Sequence, residues 1–373
     1  MIGKQKPEQI NLGDEMKKDI YIVIMIIIFS FCFSCTTTSK TKNEREHVKT
    51  EIFFQSIRIG DFTEIKSLID AGADVNAQDN DGYTTLIVSA EWGYTDIARL
   101  LIEEGADVNA RTDAGYTALM FASGEGHTDI AVLLIDAGAD VNAQDNDGYT
   151  ALIISSDWGH TEIARLLIEK GADVKVSDNK GFTALIVASD CGYMEIARLL
   201  IDKGADSNAR TNDGGTSLMF ASQRGHADIV RLLIGGGADV NTQTNNGGTA
   251  LMAASAKGHT DIAGLLIMKG ADVKVRDNKG FTALIIASDW GHAEVVRLLI
   301  EEGADINAQS NDGATALLAA SVMGHTDIVR LLINEGADVK VRDNKGFTAL
   351  MLALDFGHSE VAKLIIDAGK NYF

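Results

Sequence analysis

From Asp79 to Ala110 the apolar residues fall into two short groups separated by turn chemistry. Asp79-Asn80-Asp81-Gly82 offers side chains that mimic backbone acceptors and a glycine free to take positive φ, which predicts a tight turn. Thr84 is placed to cap the next segment, and Leu86-Ile87-Val88-Ser89-Ala90 predicts a short, almost wholly apolar helix ended by Gly93. A second helix is predicted over Asp96–Glu104, capped by Thr95, with Asp96 set against the positive N-terminal dipole. Ile97, Leu100 and Leu101 make one apolar face on it, and Gly105 closes it. Neither helix is long enough to be stable alone, so stacking must supply the core.

The same pattern recurs every 33 residues without insertion or deletion. Gly-x-Thr-x-Leu begins at Gly82, Gly115, Gly148, Gly181, Gly214, Gly247, Gly280, Gly313 and Gly346. A strict period of this length predicts a solenoid in which each unit contacts only its neighbours. Such arrays usually bind rather than transform. Residues 51–80 carry the apolar pattern without the Thr-x-Leu motif and predict an N-terminal cap repeat. Internal repeats then span 81–344, and 345–373 form a C-terminal cap repeat in which Gly369-Lys370-Asn371 replaces Gly-Ala-Asp.

The period, the helix-turn-helix content and the Gly-His and Gly-Ala-Asp-Val-Asn landmarks resemble the ankyrin repeat. The resemblance covers about residues 50–373 and implies an all-α ankyrin-repeat solenoid of about ten helix-turn-helix repeats with β-turn fingers. One feature departs from the family: its Thr-Pro-Leu-His stands here as Thr150-Ala151-Leu152-Ile153 or Thr249-Ala250-Leu251-Met252. The helix-starting proline and the histidine that ties neighbouring turns are both absent. More apolar packing and fewer buried hydrogen bonds are expected.

The first 50 residues differ in kind. Lys17-Lys18 precede the uncharged run from Ile20 to Ser34, which ends at Cys35. A basic start, a short apolar core and a small residue before cysteine resemble a bacterial lipoprotein signal peptide. That resemblance implies a signal peptide over 1–34, with Met16 as the candidate true start, lipidation at Cys35 and a polar tether over 35–50. It implies a lipid-anchored protein of the bacterial cell envelope. Thr36 after the cysteine favours the outer membrane over the inner, and an uncleaved N-terminal helix in the inner membrane is the alternative. Of Cys32, Cys35 and Cys191, only Cys191 would remain free, so no disulfide framework is expected.

Charge and chemistry narrow the function by exclusion. The chain carries a net charge of −20, its acidity concentrated in the repeats, which is the wrong sign for holding nucleic-acid phosphates and favours a partner with a basic surface. Seven of the eight histidines, His127 to His358, share one place in the repeat, too far apart to hold one metal ion. Cys191 has no base beside it. Asp-Asn-Asp-Gly at Asp79 and Asp145 begins like a calcium loop but lacks the remaining ligand spacing. No catalytic site, metal or cofactor is expected, and the chain reads as non-catalytic and monomeric.

Variation between repeats is where recognition is expected. The residue before the second glycine runs Trp92, Glu125, Trp158, Cys191, Arg224, Lys257, Trp290, Met323, Phe356, and takes in all three tryptophans. By the ankyrin resemblance, it ends the first helix on the concave side and contacts partners. The residue after the first glycine is its companion: Tyr83, Tyr116, Tyr149, Phe182, Gly215, Gly248, Phe281, Ala314, Phe347. Acids precede several helix-end residues: Glu91, Asp157, Asp190, Asp289 and Asp355. Two aromatic patches are expected, over Trp92–Phe182 and Trp290–Phe356, around a more basic centre. Trp, Tyr and Phe with adjacent acids suit a protein-binding hot spot. The alternatives are packing of each ring on its neighbour, binding of cell-wall glycan, a passive envelope spacer and a protective protein. Peptide binding would also engage the fingers at Arg111, Arg210, Arg276 and Arg342.

Overall fold

A computed structural model describes residues 42–370. Cys35, Met16, the expected signal peptide and residues 35–41 of the expected tether lie outside the described residues. The chain divides into two compact units, the first ending at Ala118 and the second beginning at Leu119.

In the first unit, a helix over Lys42–Ile59 packs on Phe62–Asp70, with Phe53, Phe54, Ile57 and Ile65 buried. It begins inside the segment expected to be a tether. The next repeat consists of Thr85–Trp92 and Thr95–Glu103. Thr84 caps its first helix, its hydroxyl accepting from the Ile87 N–H at 3.2 Å, and Gly93 ends it at φ 79°.

The expected Thr95 cap is not formed. Tyr94 is the capping residue, with no side-chain capping bond, and Thr95 is already helical. Only Gly93 and Tyr94 separate the two helices, so the backbone makes the corner itself, Thr95 N–H donating to the Gly93 carbonyl. Met194, Ala227 and Ala293, which cannot cap, stand at the same place in later repeats.

The second unit repeats this pair. Its first helices, among them Ala151–Trp158, Ala184–Cys191, Ser217–Arg224, Ala250–Lys257, Ala283–Trp290 and Ala316–Met323, stack on one another. Each buries nearly its whole length, as Ala184, Leu185, Ile186, Ala188 and Ser189 show. The second helices bury one face only, as with Ile196, Ala197 and Leu200. The helix Ala349–Asp355 exposes Met351 and Leu354, at positions where Leu318 and Ser321 are buried. The last helix, Ser359–Lys370, continues through Gly369, although internal repeats turn at the equivalent Gly336 with φ 93°. Among the described residues there are no strands beyond isolated bridges such as Ser177–Thr183 at the finger bases. None of the described helices is long and apolar enough to cross a membrane.

The bonds expected from the missing Thr-Pro-Leu-His histidine come from elsewhere. The Asn212 amide donates to the Asn179 carbonyl at 2.9 Å, Asn245 to Asn212 at 2.8 Å and Asn278 to Asn245 at 2.9 Å, with backbone bonds beside them. A second asparagine clips the repeat ends: Asn241 donates to the Gly270 carbonyl and accepts from Asp272 N–H. These tapes hold the fingers in register.

Candidate functional site

The helix-end series emerges at the surface. In the first unit Trp92 is 54 % exposed. In the second, Trp158, Trp290, Met323 and Phe356 are 43, 60, 52 and 55 % exposed. Each sits one residue before the turn glycine, where the buried stretch of the first helix has ended, and Phe356 follows a helix that already stops at Asp355.

The histidines beside them are structural, as their phase in the repeat implied. His292 Nε2 lies 3.2 Å from the Ala256 carbonyl, and His325 Nε2 lies 3.0 Å from that of Asp289. The ring rests directly on the turn glycine of the preceding repeat. A Cβ on Gly258 would stand 2.5 Å from His292 Nδ1. Tyr193 takes the histidine's place over Gly159. Among the described residues, no group of three metal-capable side chains comes together.

Contacts between repeats alter the expected centre. Arg224 pairs with Asp190, Nε to Oδ1 at 2.7 Å and Nη2 to Oδ2 at 3.0 Å. Lys257 Nζ sits 5.7 Å from the Trp290 ring centre. The expected basic centre is therefore largely spent within the array, because each helix-end side chain is long enough to reach the preceding or following repeat. Cys191 Sγ makes a long contact of 3.6 Å to Asp157 Oδ1. Partial burial, then the charges of Asp157 and Asp190, push the thiol up to about 12, which leaves little of the reactive thiolate at neutral pH. Burial also raises the Asp157 carboxyl, against the Cys191 hydrogen bond that lowers it.

The companion series is less available than expected. Tyr83 and Tyr116 in the first unit, and Tyr149, Phe182 and Phe281 in the second, are half-buried, and Phe347 is exposed. Phe182 packs on Phe220, ring centres 5.6 Å apart. A Cβ at Gly215 would stand 3.0 Å from that Phe220 ring, so glycine interrupts the aromatics there to admit it. Burial, with Asp178 and Asp157 nearby, pushes the Tyr149 phenol up to about 12. Glu91 lies beside Trp92, Asp289 is half-buried, and Asp355 is exposed beside Phe356.

Three of the arginine fingers are also committed. Arg210 Nη2 donates to the Gln243 carbonyl at 2.8 Å, and Arg276 Nη2 to that of Gln309. Arg342 Nη1 bonds the Gly346 carbonyl of its own finger at 2.6 Å. Gln78 donates to the Arg111 carbonyl. A cleft of about 310 Å³ opens between two fingers, lined by Val273, Lys274, Arg276, Thr282, Asp305 and Asn307. It lies where Lys274 replaces the clipping asparagine. Within one repeat these asparagines look like ordinary turn residues, although their recurrence at 33 residues is visible in the sequence.

A family profile described as Ankyrin repeats (3 copies) matches residues 53–145, 137–211, 218–310 and 302–372, and one described as Ankyrin repeats (many copies) matches 192–234. The chain belongs to the ankyrin-repeat family. No curated protein matched in the comparison. Ankyrin repeats generally mediate protein–protein interaction.

Proposed function

We propose that this ankyrin-repeat protein is a non-catalytic scaffold of the bacterial cell envelope that holds a protein partner on the exposed ends of its first helices. One observation carries the reading: Trp92, Trp158 and Trp290 stand in solvent at one place in the repeat, while the apolar residues before them are buried. Large rings on a rigid backbone lose little side-chain entropy on contact, which is what a binding hot spot needs. The basic run, apolar core and Cys35 support a lipid anchor, in the outer membrane by the residue after the cysteine.

The test is affinity capture from envelope extracts with the wild-type chain and a Trp92→Ala, Trp158→Ala, Trp290→Ala variant of matched thermal stability. A protein retained by the first and lost from the second is expected. Glycan fragments lost in the same way would replace the protein reading, and equal capture by both would make the tryptophans packing residues. Mass spectrometry of the mature N-terminus tests the anchor, with a diacylglyceryl-modified Cys35 expected and an intact upstream segment overturning it.

A further inference from the structure

Three acids of the second unit occupy the same position one residue before the helix end: Asp157, Asp190 and Asp289. Thirty-four residues after each stands the side chain that can reach it, and the three cases differ. Cys191 meets Asp157 at 3.6 Å. Arg224 meets Asp190 with two charge-assisted bonds. Met323 holds the equivalent position, 34 residues after Asp289, and its side chain has no N–H or O–H to offer. Among the described residues, no side chain donates to the Asp289 carboxylate.

The backbone at Asp289 is held as it is at Asp190. His226 Nε2 lies 3.2 Å from the Asp190 carbonyl, and His325 Nε2 lies 3.0 Å from that of Asp289. The same clamp acts on the same helix position, so both side chains leave the backbone at equivalent points of the repeat. At Asp190 a guanidinium of the chain itself fills the place. At Asp289 the place is open, flanked by exposed Trp290 and Met323.

We infer that Asp289, with Trp290 and Met323, receives an arginine side chain of the partner, which docks as Arg224 docks on Asp190. This rests on the scaffold reading above and names the partner's chemistry. Arginine fits better than lysine because its planar fork matches both carboxylate oxygens and its face packs on an indole or a thioether. Lys257 already lies over the Trp290 ring, but it can cover only one of the two faces. The acidic array would draw such a partner in.

The probe is a library of short random-sequence peptides displayed on phage and selected on the full chain. A selected peptide is then synthesised and titrated by fluorescence anisotropy. Arginine is expected in the selected peptides, and Asp289→Asn should weaken binding about tenfold or more. Citrulline in place of the arginine should cost the same in the wild type and little more in Asp289→Asn. Met323→Arg should supply the missing guanidinium from within, weakening binding equally while leaving the thermal midpoint unchanged or raised. Peptides lost on Trp158→Ala or Trp290→Ala but indifferent to Asp289→Asn and Met323→Arg would overturn the arginine site and leave the scaffold reading standing. Failure to select any peptide, or peptides indifferent to both tryptophans, would overturn both.

Discussion

Arg224 reaches back across a repeat to Asp190 and closes a two-bond pair, Nε on Oδ1 at 2.7 Å and Nη2 on Oδ2 at 3.0 Å. A residue that reads in the sequence as a free basic contact is thus half of an internal fork. Both partners remain partly in solvent, so the pair contributes little energy but fixes where the arginine points. A double-mutant cycle with Arg224→Ala and Asp190→Asn should give a coupling of about 1 kcal/mol or less, shrinking with added salt. Chemical denaturation at low and high ionic strength measures it.

Cys191 should alkylate slowly at neutral pH despite its exposure. Its thiol is pushed up to about 12 by partial burial and by Asp157 and Asp190, and Arg224 opposes them. The thiolate is the reacting form, so Asp157→Asn should speed iodoacetamide labelling and Arg224→Ala should slow it. The two opposite signs separate charge effects from simple access.

The Asp157 carboxyl is raised by partial burial, so the folded chain binds its proton more tightly than the unfolded chain does. Ionisation therefore penalises the fold. The penalty is absent below the ordinary carboxylate range, grows as pH rises through the raised value and stays constant above it. Asp157→Asn should be more stable than the wild type near neutral pH, and the difference should vanish as pH falls toward about 4. Urea titrations across that range would show a constant difference if the shift were absent.

Gly258 has two reasons to be glycine, and they add. Its φ is 73°, and His292 of the next repeat lies over it. Gly258→Ala should destabilise by more than the ~1 kcal/mol cost of a left-handed alanine, because the ring must also move. His292→Ala, which leaves the Ala256 carbonyl without its bond, should cost about 1–2 kcal/mol. In Gly258→Ala with His292→Ala, the steric part should disappear, leaving a cost smaller than the sum of the two singles.

Ser222 and Ser255 are fully buried with no hydrogen-bond partner, whereas Ser321 at the equivalent place donates to the Leu317 carbonyl at 2.6 Å. An unpaired buried hydroxyl costs free energy that a methyl group of similar size does not. Ser222→Ala and Ser255→Ala should be neutral or stabilising by up to about 1 kcal/mol, and Ser321→Ala destabilising. Thermal midpoints of the three variants decide it.

Much of this architecture is written in local chemistry. The turn glycines, the Thr84 cap and the apolar first helix are visible because each depends on a few neighbouring residues. The Thr95 cap misled because its residue type suits a cap while the two-residue corner leaves it no place to act. The exposure of the variable positions was only half legible. The helix-end tryptophans are exposed as their variability suggested, but Phe182, Tyr149 and Phe281 are half-buried by neighbouring repeats.

The sequence by itself determined the period, the pair of helices and the family, since these depend on positive-φ glycines, caps and apolar spacing within one repeat. Only the tertiary structure decided which side chains are spent between repeats. Arg224 on Asp190, Lys257 on Trp290, His292 on Gly258 and the asparagine tape all join residues about one repeat apart. Whether such residues meet depends on how one repeat is rotated and stacked on the next, and no single repeat carries that information. At the place equivalent to Arg224 the chain carries Met323, which has no donor for the Asp289 carboxylate.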